Sequence, residues 1–347
     1  MNTPASQVTT TQLPSSQILT APLTKLQQPV KTKQDKKSLN YIVRTFIAGG
    51  IAGCAAKTVV APMDRVKILF QSSNPHFEKY SGTFWGIFLA GKDIYQGAGM
   101  RGLFQGHMAT LLRIFPYAAI KFVAYEQFKN LIVHSKAGET PGKHFIAGSL
   151  AGISSVFCTY PLELIRVRMA YEVPHNGKGP GVYETFKHIL GEGKSNAKGK
   201  INLGNLYRGF TLTILGVIPY AGVSFWTHSL MQDLIRKHFP LQTLGNPESD
   251  RKPRLKAIPE LISGGIAGAV AQTVSYPIEV TRRRVQVRGA INPENNRASA
   301  KEVVKEIYRS KGFRGFFVGL SIGYLKVTPL FAVSFYTYER LKWILDI

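Results

Sequence analysis

Three short segments of this 347-residue chain put an acid and a base at fixed distances after a proline: Pro62-Met-Asp64-Arg-Val-Lys67, Pro161-Leu-Glu163-Leu-Ile-Arg166 and Pro277-Ile-Glu279-Val-Thr-Arg282. An acid and a base three residues apart share one helical face. A proline inside a helix removes a backbone bond and bends the axis. Pro62, Pro161 and Pro277 would therefore draw three helix ends toward one another. Three carboxylates and three bases at one depth pair either within their helices or around a ring, and a ring would close the bundle at that level. Removing one partner of a buried pair costs about 3–5 kcal/mol because the other charge is stranded. Opening a whole ring strands nothing if every group regains water, so the chemistry predicted is reversible gating. The alternative is three unrelated solvated pairs, each worth little, and their common placement after a proline argues against it. No nucleophile triad, phosphate-binding loop or metal-ligand cluster stands out, so no enzyme activity, cofactor or metal is expected. His107, His144 and His228 occur singly near helix ends, where a polar interfacial role is expected.

The elements that must position these charges follow from internal repetition. Each proline is preceded, thirteen residues earlier, by the first glycine of Gly49-Gly-Ile-Ala-Gly53, Gly148-Ser-Leu-Ala-Gly152 or Gly264-Gly-Ile-Ala-Gly268. A second triplet, Gly106 to Pro116, Gly209 to Pro219 and Gly319 to Pro329, recurs with a spacing of ten. Each repeat thus holds two apolar stretches, near 42–70, 107–132, 144–170, 210–235, 259–287 and 320–345. Each supplies the roughly 20 residues that span hydrocarbon. Charges recurring at equivalent places suit groups that face a bundle interior or a water-filled cavity. The small-xxx-small glycines suit close helix approach in lipid. The predicted fold is an all-α membrane protein of six transmembrane helices in three tandem two-helix repeats, with a short helix in each connection. The predicted organisation is a polar, basic tail over 1–40 and repeats over 41–135, 141–238 and 256–347.

The chain carries 44 Lys+Arg against 20 Asp+Glu, a net charge of +24, beside 44% hydrophobic residues. That apolar content excludes an extended disordered polymer, and the charge calls for an anionic partner: nucleic acid, an anionic bilayer or a phosphorylated small molecule. Cys54 and Cys158 lie too far apart for a CxxC, which argues against a disulfide scaffold or a cysteine zinc site. The tail is rich in Ser, Thr, Gln and Pro, clusters Lys31, Lys33, Lys36 and Lys37, and is expected to be disordered. Its first 24 residues hold no charge, unlike a secretory signal or an Arg-rich transit peptide.

The second helix of the first and third repeats ends in Tyr125-Glu126-Gln-Phe-Lys129 and Tyr338-Glu339-Arg-Leu-Lys342. The middle repeat has His228, Ser229 and Gln232 there. A ring at that end would keep two acids and two bases, and in cyclic order only Glu339 with Lys129 survives.

The three Pro-x-[Asp/Glu]-x-x-[Lys/Arg] segments are followed by Leu103-Phe104-Gln105-Gly106, Leu206-Tyr207-Arg208-Gly209 and Phe316-Phe317-Val318-Gly319. Over about 41–345 the chain resembles the mitochondrial carrier family. The resemblance implies a pseudo-threefold barrel with short matrix helices in the mitochondrial inner membrane, working by alternating access to one central site. It further implies a first ring (Asp64, Lys67, Glu163, Arg166, Glu279, Arg282) facing the matrix, and a second ring (Glu126, Lys129, Glu339, Lys342) facing the intermembrane space. Both termini would lie on the intermembrane-space side. Gln71 and Gln286 resemble the family's glutamine braces below the matrix ring; Ala170 departs from that pattern, and Ala98-Gly99 and Lys311-Gly312 lack the usual acid. Fewer braces and a thinner outer ring imply a lower closure barrier. One barrel per chain makes a monomer sufficient.

In this family the substrate is read mainly a turn before the proline of the even-numbered helices, here Arg113, Gly216-Val217 and Lys326. Two cations and a small apolar pocket fit a molecule with phosphates and a flat uncharged ring. Lys57 matches a cavity lysine of nucleotide carriers and would add a third phosphate contact; Lys121 is a further contact. Tyr117 and Tyr220 either offer an aromatic surface or pack between helices. Lys57, Arg113 and Lys326 are expected to be bases without acids, free for phosphate through an Arg fork or a Lys point charge. The arginine-methionine run of the ADP/ATP exchanger is half present, since Arg282-Arg283-Arg284 precedes Val285-Gln286-Val287, and residues 1–40 hold no EF-hand loop. The stretches Ile165–Tyr171 and Tyr207–Phe225, with a long hydrophilic loop around 172–204, are similar to the coenzyme A carrier branch. The expected cargo is coenzyme A or a related adenine nucleotide such as adenosine 3′,5′-bisphosphate. A carrier of ATP, ADP or AMP is the alternative within the family, and a soluble basic helical-repeat protein binding RNA is the alternative outside it. The carrier reading calls for a cardiolipin-bearing bilayer and no nucleic acid.

Overall fold

A computed structural model describes residues 39–83, 85–132, 140–173, 179–192, 202–239, 243–244, 254–291 and 299–346. The tail expected over 1–40 lies almost wholly outside the described residues. Three long odd-numbered spans, α1 (Leu39–Gln71), α4 (Pro141–Tyr171) and α7 (Ala257–Ile291), run unbroken through Pro62, Pro161 and Pro277. Each is followed by a short helix, namely α2 (Gly86–Leu103), α5 (Val182–Gly191) and α8 (Ala300–Lys311), and then by an even-numbered span. Those spans are α3 (His107–Ile132), α6 (Phe210–His238) and, in the third repeat, α9 (Leu320–Leu325) with α10 (Val327–Ile344). The stretch near 320–345 is therefore not one helix: it breaks at Lys326, where Pro329 offers no N–H to the carbonyl four residues back. The described strands are β1 (Thr243–Leu244) and β2 (Arg254–Leu255), an antiparallel ladder pairing Thr243 with Leu255 between α6 and α7.

Among the described residues, six helical segments are long and apolar enough to cross a membrane. Large apolar side chains along them, among them Phe122, Phe225, Trp226 and Phe335, stay exposed, which suits hydrocarbon and not water. The spans close on themselves because α3 packs against α4, α6 against α7 and α10 against α1. A stripe of small residues makes this close approach: Ala48, Ala52 and Ala56 on α1, Ala147, Ala151 and Ser155 on α4, Ser263, Ala267, Ala271 and Ser275 on α7, all buried. The glycines at the small-xxx-small spacing contribute little to it. Nothing lies within 4 Å of a Cβ built at Gly49, Gly148, Gly152, Gly264 or Gly268, and Gly53 meets Ile114 at 3.8 Å; of that segment's glycines it is the intervening Gly50 whose missing side chain makes room for the Phe115 ring of α3. The two stripes are one residue apart, and the alanine stripe faces the neighbouring helix.

The buried core sits at the proline end of the odd spans. Leu164, Ile165 and Met169 of α4 pack with Ile189 of α5 and Ala109 of α3, and Tyr276, Val280 and Val285 of α7 with Val303 and Ile307 of α8. Ile68, Val167, Ala170 and Val287 bring the three odd spans together in one cluster. The later glycine of each repeat, Gly106, Gly209 and Gly319, has φ of 82°, 81° and 83° just before an even-numbered span. Only glycine takes that left-handed conformation without strain, and a Cβ at Gly106 would lie 2.8 Å from the Arg166 carbonyl oxygen.

Candidate functional site

The three acid-base segments meet just above that cluster. Arg166 Nη2 of α4 donates to Asp64 Oδ2 of α1 at 2.7 Å, Lys67 Nζ of α1 to Glu279 Oε1 of α7 at 2.9 Å, and Arg282 of α7 pairs with Glu163 of α4. Every pair joins two repeats, so the six charges form a closed ring and not three pairs within helices. The Asp64 and Glu163 side chains are 9% and 5% exposed.

Two of the three pairs are backed by an amide and a phenol. Gln71 Nε2 donates to Glu279 Oε1 at 3.1 Å and to the Tyr276 hydroxyl at 3.1 Å, and that hydroxyl donates to the Val318 carbonyl at 3.0 Å. Gln286 Nε2 donates to the Tyr160 hydroxyl at 2.9 Å, which donates to the Arg208 carbonyl at 2.8 Å, while Gln286 Oε1 accepts from Arg283 at 2.9 Å. Tyr160 and Tyr276 immediately precede Pro161 and Pro277; the equivalent of Gln71 in α4 is Ala170, and the residue before Pro62 is Ala61. Where the glutamine is missing, so is its tyrosine.

The expectation that Arg113 and Lys326 are bases without acids is wrong. Arg113 Nη1 lies 2.9 Å from Glu163 Oε2, its Nε donates to Thr159 Oγ1 at 3.2 Å, and its guanidinium sits 5.4 Å from the Tyr117 ring centroid. Thr159 is held in turn by the Ser155 carbonyl at 2.7 Å. Lys326 Nζ lies 2.7 Å from Asp64 Oδ1. Helix packing brings these positions to the depth of the ring, and a carboxylate has a second oxygen to offer. Arg283 also reaches Glu163 Oε1, at 3.4 Å. Six bases, Lys67, Arg113, Arg166, Arg282, Arg283 and Lys326, thus converge on three carboxylates. Lys57 lines a small cavity with Asp64, Arg65, His107 and Arg166 next to the ring.

The remaining predicted contacts are not drawn into this cluster. Gly216 lies against α7, where a Cβ would be 3.3 Å from Ile278 Cγ2, so its small size serves a helix contact. Val217 and Tyr220 are 54% and 44% exposed, and Lys121 is exposed. At the opposite end of the barrel, Glu339 reaches Lys342 of its own helix at 3.8 Å, and Glu126 is exposed. There His228 and Gln232 of α6 gather on Glu260 of α7, Gln232 Nε2 donating at 2.9 Å, and the Tyr125 hydroxyl lies 3.0 Å from His144 Nδ1. Sequence reasoning passed over Thr159, Tyr160, Tyr276, Glu260 and Arg283. For the tyrosines a signal existed, since the position before the proline in one repeat varies in step with the glutamine position of the next repeat in cyclic order, though not with that of its own repeat. For Thr159 and Glu260 there was none, because their roles depend on which helix faces them.

The sequence profile described as mitochondrial carrier protein matches three times in succession, over residues 38–136, 138–239 and 253–346. The chain is 49% identical to a mitochondrial carrier protein of Saccharomyces cerevisiae, covering 90% of this chain and 93% of that one. It is 43% identical to solute carrier family 25 member 16 of Homo sapiens, covering 87% and 88%. It is 34% identical to a mitochondrial adenine nucleotide transporter of Arabidopsis thaliana, covering 91% and 90%. Three charged helix ends closing one ring, six membrane-length spans and three successive profile matches agree: this chain belongs to the mitochondrial carrier proteins, multi-pass mitochondrial membrane transporters and not enzymes.

Proposed function

We propose that this protein carries coenzyme A, or a closely related adenine nucleotide such as adenosine 3′,5′-bisphosphate, across the mitochondrial inner membrane by alternating access. The observation that carries this reading is the imbalance at the ring, six bases on three carboxylates. Coenzyme A brings about four negative charges through a diphosphate and a phosphate monoester, enough to offset that excess where a low-dielectric interior strengthens each contact. Arg113 and Lys326 are its principal phosphate contacts, with Lys57 beside them, Tyr117 next to Arg113, and Gly216, Val217, Tyr220 and Lys121 on the surfaces above.

Because Arg113 and Lys326 are held by Glu163 and Asp64, cargo phosphates compete with ring carboxylates for the same bases. Binding therefore loosens the ring, and ring opening releases cargo on the far side. On this reading the ring of Asp64, Lys67, Glu163, Arg166, Glu279 and Arg282 is the matrix gate, with Gln71 and Gln286 as braces. Glu126, Lys129, Glu339 and Lys342 form the cytoplasmic gate when the barrel inverts. Both termini lie on the intermembrane-space side, cardiolipin surrounds the barrel, and the monomer is the working unit. A carrier of ATP, ADP or AMP is the second reading, favoured by the 34% identity to an adenine nucleotide transporter.

The deciding experiment is uptake into proteoliposomes of coenzyme A, dephospho-coenzyme A, adenosine 3′,5′-bisphosphate, ATP, ADP and AMP, each with a thermal-shift measurement. Coenzyme A or the bisphosphate is expected to give the largest uptake and shift. Preference for ATP, ADP or AMP would replace the first reading with the second.

A further inference from the structure

Glu163 stands apart from the other two ring acids. Arg282 and Arg283 both reach its Oε1 and Arg113 reaches its Oε2. Asp64, by contrast, takes Arg166 and Lys326, and Glu279 takes Lys67. A single buried carboxylate among three guanidiniums is a poor match: it brings one negative charge and two oxygens. The buried Nε atoms of Arg282 and Arg283 are left without a partner. The guanidiniums are also held from behind, Arg113 by Thr159 and the Tyr117 ring, and Arg283 by Gln286, which is anchored on Tyr160. Such a set of fixed planar donors is built for an anion with more charge and more oxygens.

A phosphate monoester carries about −1.5 to −2 charges and three terminal oxygens, and guanidinium forks fit it in pairs. We infer that Arg113, Arg282 and Arg283 form a phosphate-monoester subsite in which the Glu163 carboxylate is the resident competitor, and that Arg283 is its specificity-determining residue. Arg282 is already needed to close the ring and Arg113 for any phosphate, whereas neither ring pairing nor the repeated even-helix positions require Arg283. On the proposed function, on which this inference rests, the ligand there is the 3′-phosphate, and the diphosphate lies toward Lys326 and Lys57. A 3′-phosphorylated cargo then competes with Glu163 for Arg282 and loosens the seam between α4 and α7. A cargo lacking that phosphate is carried without that competition.

The test compares coenzyme A with dephospho-coenzyme A, and adenosine 3′,5′-bisphosphate with AMP, in proteoliposomes of wild type, Arg283→Gln and Arg283→Lys. Loss of a charged hydrogen bond predicts that Arg283→Gln raises the KM for the 3′-phosphorylated cargoes about tenfold or more. The KM values for the counterparts that lack only the 3′-phosphate are expected to move by less than about twofold, since no such bond is lost with them. Arg283→Lys is expected to recover part of the difference as a point charge. A role confined to the gate would shift both members of each pair by the same factor, and that result overturns the subsite. Should Arg283→Gln fail to fold, Arg283→Lys, which keeps the charge, supplies the test alone: it is expected to raise the KM for the 3′-phosphorylated member of each pair more than for its counterpart, and equal changes overturn the proposal. A wild type that takes up none of the four cargoes overturns the functional reading itself. A wild type that discriminates between them, with an unchanged ratio in Arg283→Gln, overturns only the subsite.

Discussion

The ring is closed by three seams that are alike in charge and unlike in support. The α4–α7 seam joins Glu163 to Arg282 and is backed by Gln286 on Tyr160; the α7–α1 seam joins Glu279 to Lys67 and is backed by Gln71 on Tyr276. The α1–α4 seam joins Asp64 to Arg166 at 2.7 Å and has neither group. Ala61 and Ala170 stand where the phenol and the amide would be, and both line a small cavity with Lys57, Asp64 and Arg166. A buried glutamine without its tyrosine would leave an amide unsatisfied, and a lone buried phenol fares no better. The brace is thus kept or lost as a pair. The unbraced seam is joined instead near the helix ends, where Arg65 Nη2 donates to the Glu172 carbonyl at 2.9 Å and Asn74 Nδ2 to the Tyr171 carbonyl at 3.1 Å. Closure is threefold in charge and twofold in bracing, which makes the α1–α4 seam the place where the ring yields first.

The sharpest way to break this comparison is to remove an acid. Asp64→Ala strands Arg166 and Lys326 together, and an uncompensated buried charge costs about 3–5 kcal/mol. It is expected to lower the Tm by more than Glu279→Ala, which strands Lys67 alone; an equal or smaller loss would show that Lys326 is not held by Asp64. Next in size is the effect of the site cations on transport. Arg113→Ala and Lys326→Ala leave all three ring pairs in place, so the protein is expected to stay folded while exchange in proteoliposomes falls to background. Full transport by both variants would place the site elsewhere.

Much of this architecture is legible in the sequence. Proline, acid and base recur at identical offsets, so the depth and membership of the ring followed from aligning the repeats, and six spans followed from six apolar stretches. Pairing between repeats was one of two possibilities, and the choice depends on where the three odd spans cross. The stagger of even against odd spans is a property of packing, so the capture of Arg113 by Glu163 and of Lys326 by Asp64 could not be read from spacing. The small-residue stripe was misread by one residue for a similar reason: Gly49-Gly-Ile-Ala-Gly53 and Ala48, Ala52, Ala56 offer adjacent faces of one helix. Only the neighbouring helix decides which of them is used.

The smallest expected effect is the most direct test of the seams. Gln71→Ala removes two hydrogen bonds at the α7–α1 seam, one to a carboxylate and one to a phenol, and should destabilise the closed ring by about 1–3 kcal/mol. The reverse experiment grafts a brace onto the third seam. Ala61→Tyr alone and Ala170→Gln alone each place a polar group in a small buried space without its partner, and each is expected to lower the Tm. The double variant lets the amide donate to the phenol, so its Tm should exceed the value obtained by adding the two single effects, with a coupling of about 0.5–3 kcal/mol. A ring stiffened at its weakest seam should also turn over more slowly, because every opening now breaks a third brace. Additive Tm changes would mean that α1 and α4 cannot bring the two side chains together. A positive coupling with unchanged turnover would mean that the ring opens first at one of the other two seams.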